Sequence, residues 1–318
     1  MNDLRKRYKK TITLIGATLL IWAGIFGTLI SIVETVMTVL APYFEKVAFE
    51  ITVSTLQGAA YFAGFVIPAF FFKIMAGRNK SEPLRLNINL GGDSMAWIIG
   101  GITCAFAFSI LNGIFMSVIS VPESGGILNE VTAKMSDYNL ILQFITIALV
   151  PAFCEEFLFR GVILSNLMPY GKGLAIIVSS ILFGLMHGNF YQFLYTTAAG
   201  IILGILYVVT DSIWCSVLMH MVNNSISVLQ TAVFDKFPED TATAVWMAME
   251  GLLFFVGLVC IIFLVVKYGK GERAKKAAEL GFSREIEPRY AIRGFLNPTI
   301  CAFAGYSLLN ALLVVIVV

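Results

Sequence analysis

Charge is scarce in this chain. Asp, Glu, Lys and Arg make up 13% of its 318 residues, about half the share usual in a soluble domain. Hydrophobic residues supply 58%, which excludes the two ordinary soluble domains that the length alone would allow. Cysteines are few as well: the five, at 104, 154, 215, 260 and 301, all lie in apolar runs, and none forms a CxxC pair. That pattern excludes a disulfide frame or a cysteine-rich metal cluster and reads as packing. Cys154 adjoins Glu155 but lacks the electropositive, solvated setting that activates a thiol. There are only two histidines. No H-E-x-x-H helix and no serine set beside a histidine is present, so a soluble-type zinc protease and a serine triad are both unsupported. Internal repeats and low-complexity tracts are missing too. The formal net charge of +2 gives no reason to expect a nucleic-acid partner.

What the chain has instead is long apolar runs. Arg5, Lys6, Arg7, Lys9 and Lys10 precede a run from Thr11 to about Ala41. This run is too long for a signal peptide and has no small-residue cleavage site, so it reads as a retained first helix. Glu34 sits near its far end, where a carboxylate can snorkel to the interface. Further runs follow at about 51–74, 95–121, 138–168, 174–188, 193–209, 212–232, 246–266 and 298–318. The fifth and sixth are short for a span, which takes roughly 20 helical residues. Pro151 removes a backbone donor inside the fourth run and predicts a kink just before Glu155. Residues 267–297 form one long polar segment, with an amphipathic surface helix expected around Glu272–Leu280.

Counting Lys and Arg at the N-terminus and in 73–85, 160–172 and 267–293 puts nineteen of the chain's 22 on one side. The positive-inside rule makes that side cytoplasmic. The expected architecture is an all-α, polytopic transmembrane bundle of about eight or nine helices in a cell membrane, N-terminus in the cytoplasm, with a polar catalytic cavity between the central helices. Three parts are expected: N-terminal helices in 1–137, a core in 138–232, and C-terminal helices with a basic cytoplasmic loop in 233–318.

The stretch Pro151-Ala152-Phe153-Cys154-Glu155-Glu156-Phe157-Leu158-Phe159-Arg160-Gly161 carries three charges inside the fourth run. A charge at that depth costs about 2.5–3.5 kcal/mol on insertion scales, so it normally faces a protein interior or wet cavity and carries function. Glu156 and Arg160, four apart, share a face in the order that favours an ion pair. Glu155 is turned about 100° away and has no partner within its helix. Both histidines also lie in membrane runs: Phe183 and His187 share one helix face, and His220 and Asn224 share another. At 1.5 Å per residue, Glu155, His187, His220 and Asn224 all fall about 13–20 Å from the same membrane face. One carboxylate, two imidazoles and an amide at one depth suit activation of a water. A carboxylate taken out of water is a stronger base, and an amide or imidazole can donate to a tetrahedral oxyanion. The same groups could form a two-histidine, one-carboxylate zinc site from His187, His220 and Glu155. A non-catalytic scaffold or immunity protein that binds a peptide is a further alternative. A proton-coupled transporter is another, although a relay needs groups staggered across the bilayer.

Taken together, Glu155-Glu156-x-x-x-Arg160, Phe183-x-x-x-His187 and His220-x-x-x-Asn224 resemble the three signature motifs of the intramembrane proteases of the CAAX-protease and bacteriocin-processing family, which includes the Rce1-type prenyl-protein endopeptidase. The resemblance covers about residues 138–232, with every signature position filled. It implies peptide-bond hydrolysis at a membrane-embedded site open to the cytoplasm, acting on a membrane-associated peptide such as a prenylated or leader-type substrate. It also implies roles: Glu155 as water-activating base with His187 beside it, His220 and Asn224 on the oxyanion or metal side, and Glu156–Arg160 as support. Zinc or no metal at all are both compatible; the metal-free version is the expectation, because a Glu155 spent on a metal leaves no obvious proton acceptor.

Overall fold

The computed structural model describes residues 2–77, 82–88, 90–119, 139–269 and 288–317. Among these residues the chain forms ten helices: α1 (Asn2–Leu40), α2 (Lys46–Ala76), α3 (Gly92–Val118), α4 (Leu140–Tyr170), α5 (Lys172–Met186), α6 (Phe190–Thr210), α7 (Ile213–Lys236), α8 (Glu239–Tyr268), α9 (Pro288–Phe295) and α10 (Pro298–Val317). Six of them, α1, α2, α3, α4, α6 and α8, are long and apolar enough to cross a membrane. The protein is therefore an all-α, multi-pass membrane bundle, and the bilayer is its environment. Helices suit that solvent because they satisfy their backbone hydrogen bonds internally. The amphipathic helix expected at 272–280 lies outside the described residues.

The short-span expectation holds for α5, with 15 residues, but not for α6, which has 21. Asn189 caps α6, its side chain accepting from the Tyr191 N–H at 2.8 Å. The capped helix so begins at Phe190, ahead of the apolar run that hydropathy registers. At 24 residues α7 is long enough to span, yet its middle carries His220, Asn223, Asn224, Ser225 and Ser227.

Contacts fix which helix ends lie together. Thr11 and Tyr170 share a hydrogen bond of 2.9 Å. Arg85, between α2 and α3, pairs with Asp211 in the α6–α7 turn. Lys267 at the end of α8 pairs with Asp93 at the start of α3. Asn297, just before α10, donates to Thr13 of α1 at 2.7 Å. The start of α1 and the ends of α4, α6 and α8 thus gather at one end of the bundle, as alternation of spans requires.

The centre of the bundle is α4, packed against α2, α5 and α7. Its buried residues Leu158, Phe159, Val162 and Ile163 join Leu19 and Trp22 of α1, Phe65 of α2 and Phe303 of α10 in the main core. A smaller cluster of Ile98, Ile102, Leu203 and Met219 joins α3, α6 and α7. The expected proline kink takes a specific form. Phe144–Leu149 and Phe157–Leu164 are π-helical, and they flank an α-helical stretch, Val150–Glu156. Pro151 has no N–H, so the Ile147 carbonyl loses its usual i+4 donor. Asn224 Nδ2 of α7 donates to that carbonyl at 3.3 Å, consistent with the rule that a buried backbone acceptor finds a partner.

Close approach of α5 and α6 depends on Gly200. A Cβ there would lie 3.1 Å from the Cα of Ser180, backbone that cannot swing away. Gly251 of α8, by contrast, has nothing within 4 Å of such a Cβ. Small residues at helix contacts are the usual means of close packing in membranes. Gly200→Val should therefore cost about 1–3 kcal/mol and lower the melting temperature of the detergent-solubilised protein, whereas Gly251→Val should leave it nearly unchanged. Equal shifts for the two variants would contradict the packing account.

Candidate active site

The three charges of α4 lie deep inside the bundle: Glu155 is 4%, Glu156 0% and Arg160 1% exposed. Arg160 therefore does not belong in the tally of interfacial cations; its charge is spent in the interior. As the i,i+4 spacing predicts, Arg160 Nη1 donates to Glu156 Oε1 at 2.7 Å. Its second amino group donates to the Gly200 carbonyl at 3.0 Å. The guanidinium also lies over the Phe183 ring, 4.7 Å from its centroid. A desolvated cation–π contact of this kind contributes about 2 kcal/mol.

Glu156 has a second partner that spacing alone does not disclose. His220 Nδ1 lies 2.9 Å from the same Oε1. A carboxylate only accepts, so Nδ1 carries the proton, and in the neutral ring Nε2 is left with a lone pair. That Nε2 is 3.8 Å from Glu155 Oε2. Glu155, without a partner in its own helix, is thus set beside the second histidine. His187 is fixed in the same manner: its Nδ1 lies 2.9 Å from the Phe183 carbonyl, which also only accepts, so its Nε2 too is bare. His187 closes α5, and Gly188, at φ 55°, turns the chain away. The Phe183 ring packs edge-on against both imidazoles, with centroid distances of 5.0 Å to His187 and 5.9 Å to His220.

Glu155, His187, His220 and Asn224 line one cavity of about 290 Å³. Glu156 and Arg160 stand behind it and do not line it. Sequence reasoning missed several of the polar walls: Gln57 and Tyr61 of α2, Gln192 and Tyr195 of α6, and Asn223. Asn223 Nδ2 donates to the Tyr195 hydroxyl at 2.7 Å, tying α6 to α7. The available signal was polar residues at helical spacing within apolar runs, such as Gln57 with Tyr61 and His220 with Asn223, Asn224 and Ser227.

The donor types suit zinc, but their placement does not. Both imidazoles hold their Nδ1 in hydrogen bonds and leave Nε2 available to a metal, but among the described residues no three His, Cys, Asp or Glu side chains come together so as to hold a metal ion. No chemistry through a metal is derived from this arrangement.

Residues 137–226 match the family model described as type II CAAX prenyl endopeptidase Rce1-like, a stretch that contains all three motifs and, Ser227 apart, the residues that line the cavity from α4 to α7. A Bacillus subtilis (strain 168) protein, "Putative membrane peptidase YdiL", is 29% identical over 168 residues, covering 51% of this chain and 66% of the relative. The chain thus matches just under two thirds of that relative's length. No solved structure matches the chain.

Removing the guanidinium should expose how much rests on it. Arg160→Ala strands Glu156 as a buried charge and should destabilise the protein by about 3–5 kcal/mol. Arg160→Ala with Glu156→Gln should recover part of that loss, because the stranded charge is gone. Thermal unfolding in detergent measures both; a double variant no more stable than Arg160→Ala would contradict the pairing.

Proposed function

We propose that this chain, whose residues 137–226 form an Rce1-like core, is an intramembrane endopeptidase in which Glu155 activates a water against a peptide carbonyl. The observation that carries this reading is the 3.8 Å approach of Glu155 Oε2 to a His220 Nε2 whose ring is held by Glu156. A water about 2.8 Å from each atom spans that gap, donating one hydrogen to the carboxylate and one to the imidazole lone pair. Its own lone pair then faces the cavity. In the attack the water oxygen bonds to the carbonyl carbon, and Glu155 takes the proton. The carbonyl oxygen becomes an oxyanion, and Asn224, with one N–H on Ile147 O, has a second to donate to it. On collapse the C–N bond breaks, and protonated Glu155 returns the proton to the leaving amine. The bare Nε2 of His187 can accept from the substrate N–H but cannot donate. Glu156 touches no reacting atom; it positions His220, and Arg160 balances its charge.

The substrate that this site suits is a membrane-associated peptide in extended form, bound through its backbone by the amide and hydroxyl walls. In this mechanism no step passes through a metal: Glu155 accepts the proton and returns it.

Glu155→Gln keeps the shape but cannot take a proton, so peptide cleavage by the purified protein should fall by about 10²-fold or more, with thermal stability retained. Cleavage by the wild type should survive exhaustive chelation. Near-normal turnover of Glu155→Gln would remove Glu155 as the base. Loss of activity to a chelator, restored by zinc, would replace the carboxylate mechanism with a metal one.

A further inference from the structure

The cavity is one-sided. From the reaction centre toward the end of the bundle that holds the N-terminus, α4 is closed: Leu158, Phe159, Val162, Ile163, Leu164 and Leu167 are each 0% exposed. In α7 the residues before His220 toward that end, Ser216, Val217 and Met219, are buried as well. In the opposite direction the packing opens. Along α7, His220 is buried, Asn223 and Asn224 are half-buried, and Ser227 is exposed. The polar walls of the cavity follow the same course. Thr146 and Pro151 precede Glu155 in α4, Gln192 and Tyr195 stand in the first turns of α6, and Gln57 precedes Tyr61 in α2. Each of these lies on the side of the catalytic layer away from the N-terminal end, given the helix directions fixed by the Thr11–Tyr170, Arg85–Asp211 and Lys267–Asp93 contacts.

Charge is one-sided in the opposite sense. Among the described residues, the N-terminal end carries eleven cations: Arg5, Lys6, Arg7, Lys9, Lys10, Lys73, Arg85, Lys172, Lys267, Arg289 and Arg293. The far end carries Lys46 and Lys236, beside Glu45, Asp235, Glu239 and Asp240. The positive-inside rule keeps the basic end in the cytoplasm. A cytoplasmic N-terminus and a site open to the cytoplasm, the two expectations drawn from the sequence, cannot both hold for this arrangement.

We infer that the catalytic cavity opens at the extracytoplasmic face, and that the protein cuts segments presented from that side: uncharged, extended stretches of membrane or exported polypeptides that reach about half-way into the bilayer. The inference rests on the endopeptidase reading for its substrate and on geometry and charge for its sidedness. The mouth suits such a segment. Gln57, Gln192, Tyr195, Asn223 and Ser227 offer neutral amides and hydroxyls to a peptide backbone, and Glu155 is the one ionised-type group among the described lining residues apart from the two imidazoles.

The test reads sidedness without relying on catalysis. Ser227→Cys, with Gln192→Cys as a second reporter at the mouth, and Lys6→Cys at the N-terminus are each expressed in the full chain. Each is treated with a membrane-impermeant methanethiosulfonate in spheroplasts and in inverted vesicles, and labelling is read above the wild-type background. The expected result is that Ser227→Cys and Gln192→Cys label in spheroplasts, whereas Lys6→Cys labels only in inverted vesicles. Labelling of mouth and N-terminus from the same side, or no labelling of either mouth reporter, overturns the direction of opening. Labelling of Lys6→Cys in spheroplasts overturns the orientation. In proteoliposomes sorted by N-terminal accessibility, a fluorogenic peptide added outside should be cleaved only where the N-terminus is inside. If labelling follows the expected pattern and no peptide is cut from either side, the endopeptidase reading fails while the sidedness stands.

Discussion

The carboxylate of Glu156 has no exposed surface, and one of its oxygens accepts from both Arg160 at 2.7 Å and His220 at 2.9 Å. An ion taken this far from water costs several kcal/mol unless charge and hydrogen bonds offset it. The helices supply that offset at Oε1, while Glu156 Oε2 and Arg160 Nε stay buried without a hydrogen-bond partner. Arg160 comes from the next turn of α4, His220 from α7, and α6 contributes the Gly200 carbonyl that takes up the guanidinium's other arm. Three helices are therefore registered against one another by a single buried anion. Registry is the best-attested use of such groups, since an apolar replacement would often be as stable. Here the registry has a chemical consequence. Holding His220 by Nδ1 fixes its tautomer and points the basic Nε2 toward Glu155.

Irregularity in α4 serves the same end. A regular helix would have carried the Pro151 gap as an unsatisfied carbonyl. Instead Ile147 O is met by Asn224, and the π-helical stretches on either side adjust the path of the chain. π-Bulges are frequent at functional sites for this reason: they re-aim side chains without ending the helix. The helix is thus closed by buried side chains in one half, while in the other it is open and lined by polar neighbours. That contrast gives the cavity a direction. Pairing of Asn223 with Tyr195 ties the open half together at the level where a peptide would pass.

The sequence made some of this legible and hid the rest for physical reasons. The Glu156–Arg160 pair follows from i,i+4 spacing, a local rule, and it forms. The meeting of α4, α5 and α7 at one depth follows from counting 1.5 Å steps, and Glu155, His187, His220 and Asn224 do share a cavity. The bond between Glu156 and His220, 64 residues apart, could not be read, because depth says nothing about which faces of two helices meet. The resemblance set His187 beside Glu155; both histidines share the cavity with Glu155, and His220 Nε2 is 3.8 Å from it. Arg160 was counted with the loop cations because a tally by position cannot see burial. Tyr195 and Asn223 were passed over because hydropathy averages away single polar residues. The extra turn of α6 escaped for the same reason, since Asn189 at its cap and Gln192 in its first turn interrupt the apolar run.

The central claim is that Glu156 acts on the reaction only through His220. The most direct measurement is a double-mutant cycle on kcat/KM, per folded molecule, with Glu156→Gln, His220→Ala and the pair. The account predicts that Glu156→Gln alone lowers kcat/KM, and that adding it to His220→Ala costs almost nothing further, because there is no imidazole left to orient. Losses that simply multiply in the double variant would contradict it and give Glu156 a role of its own.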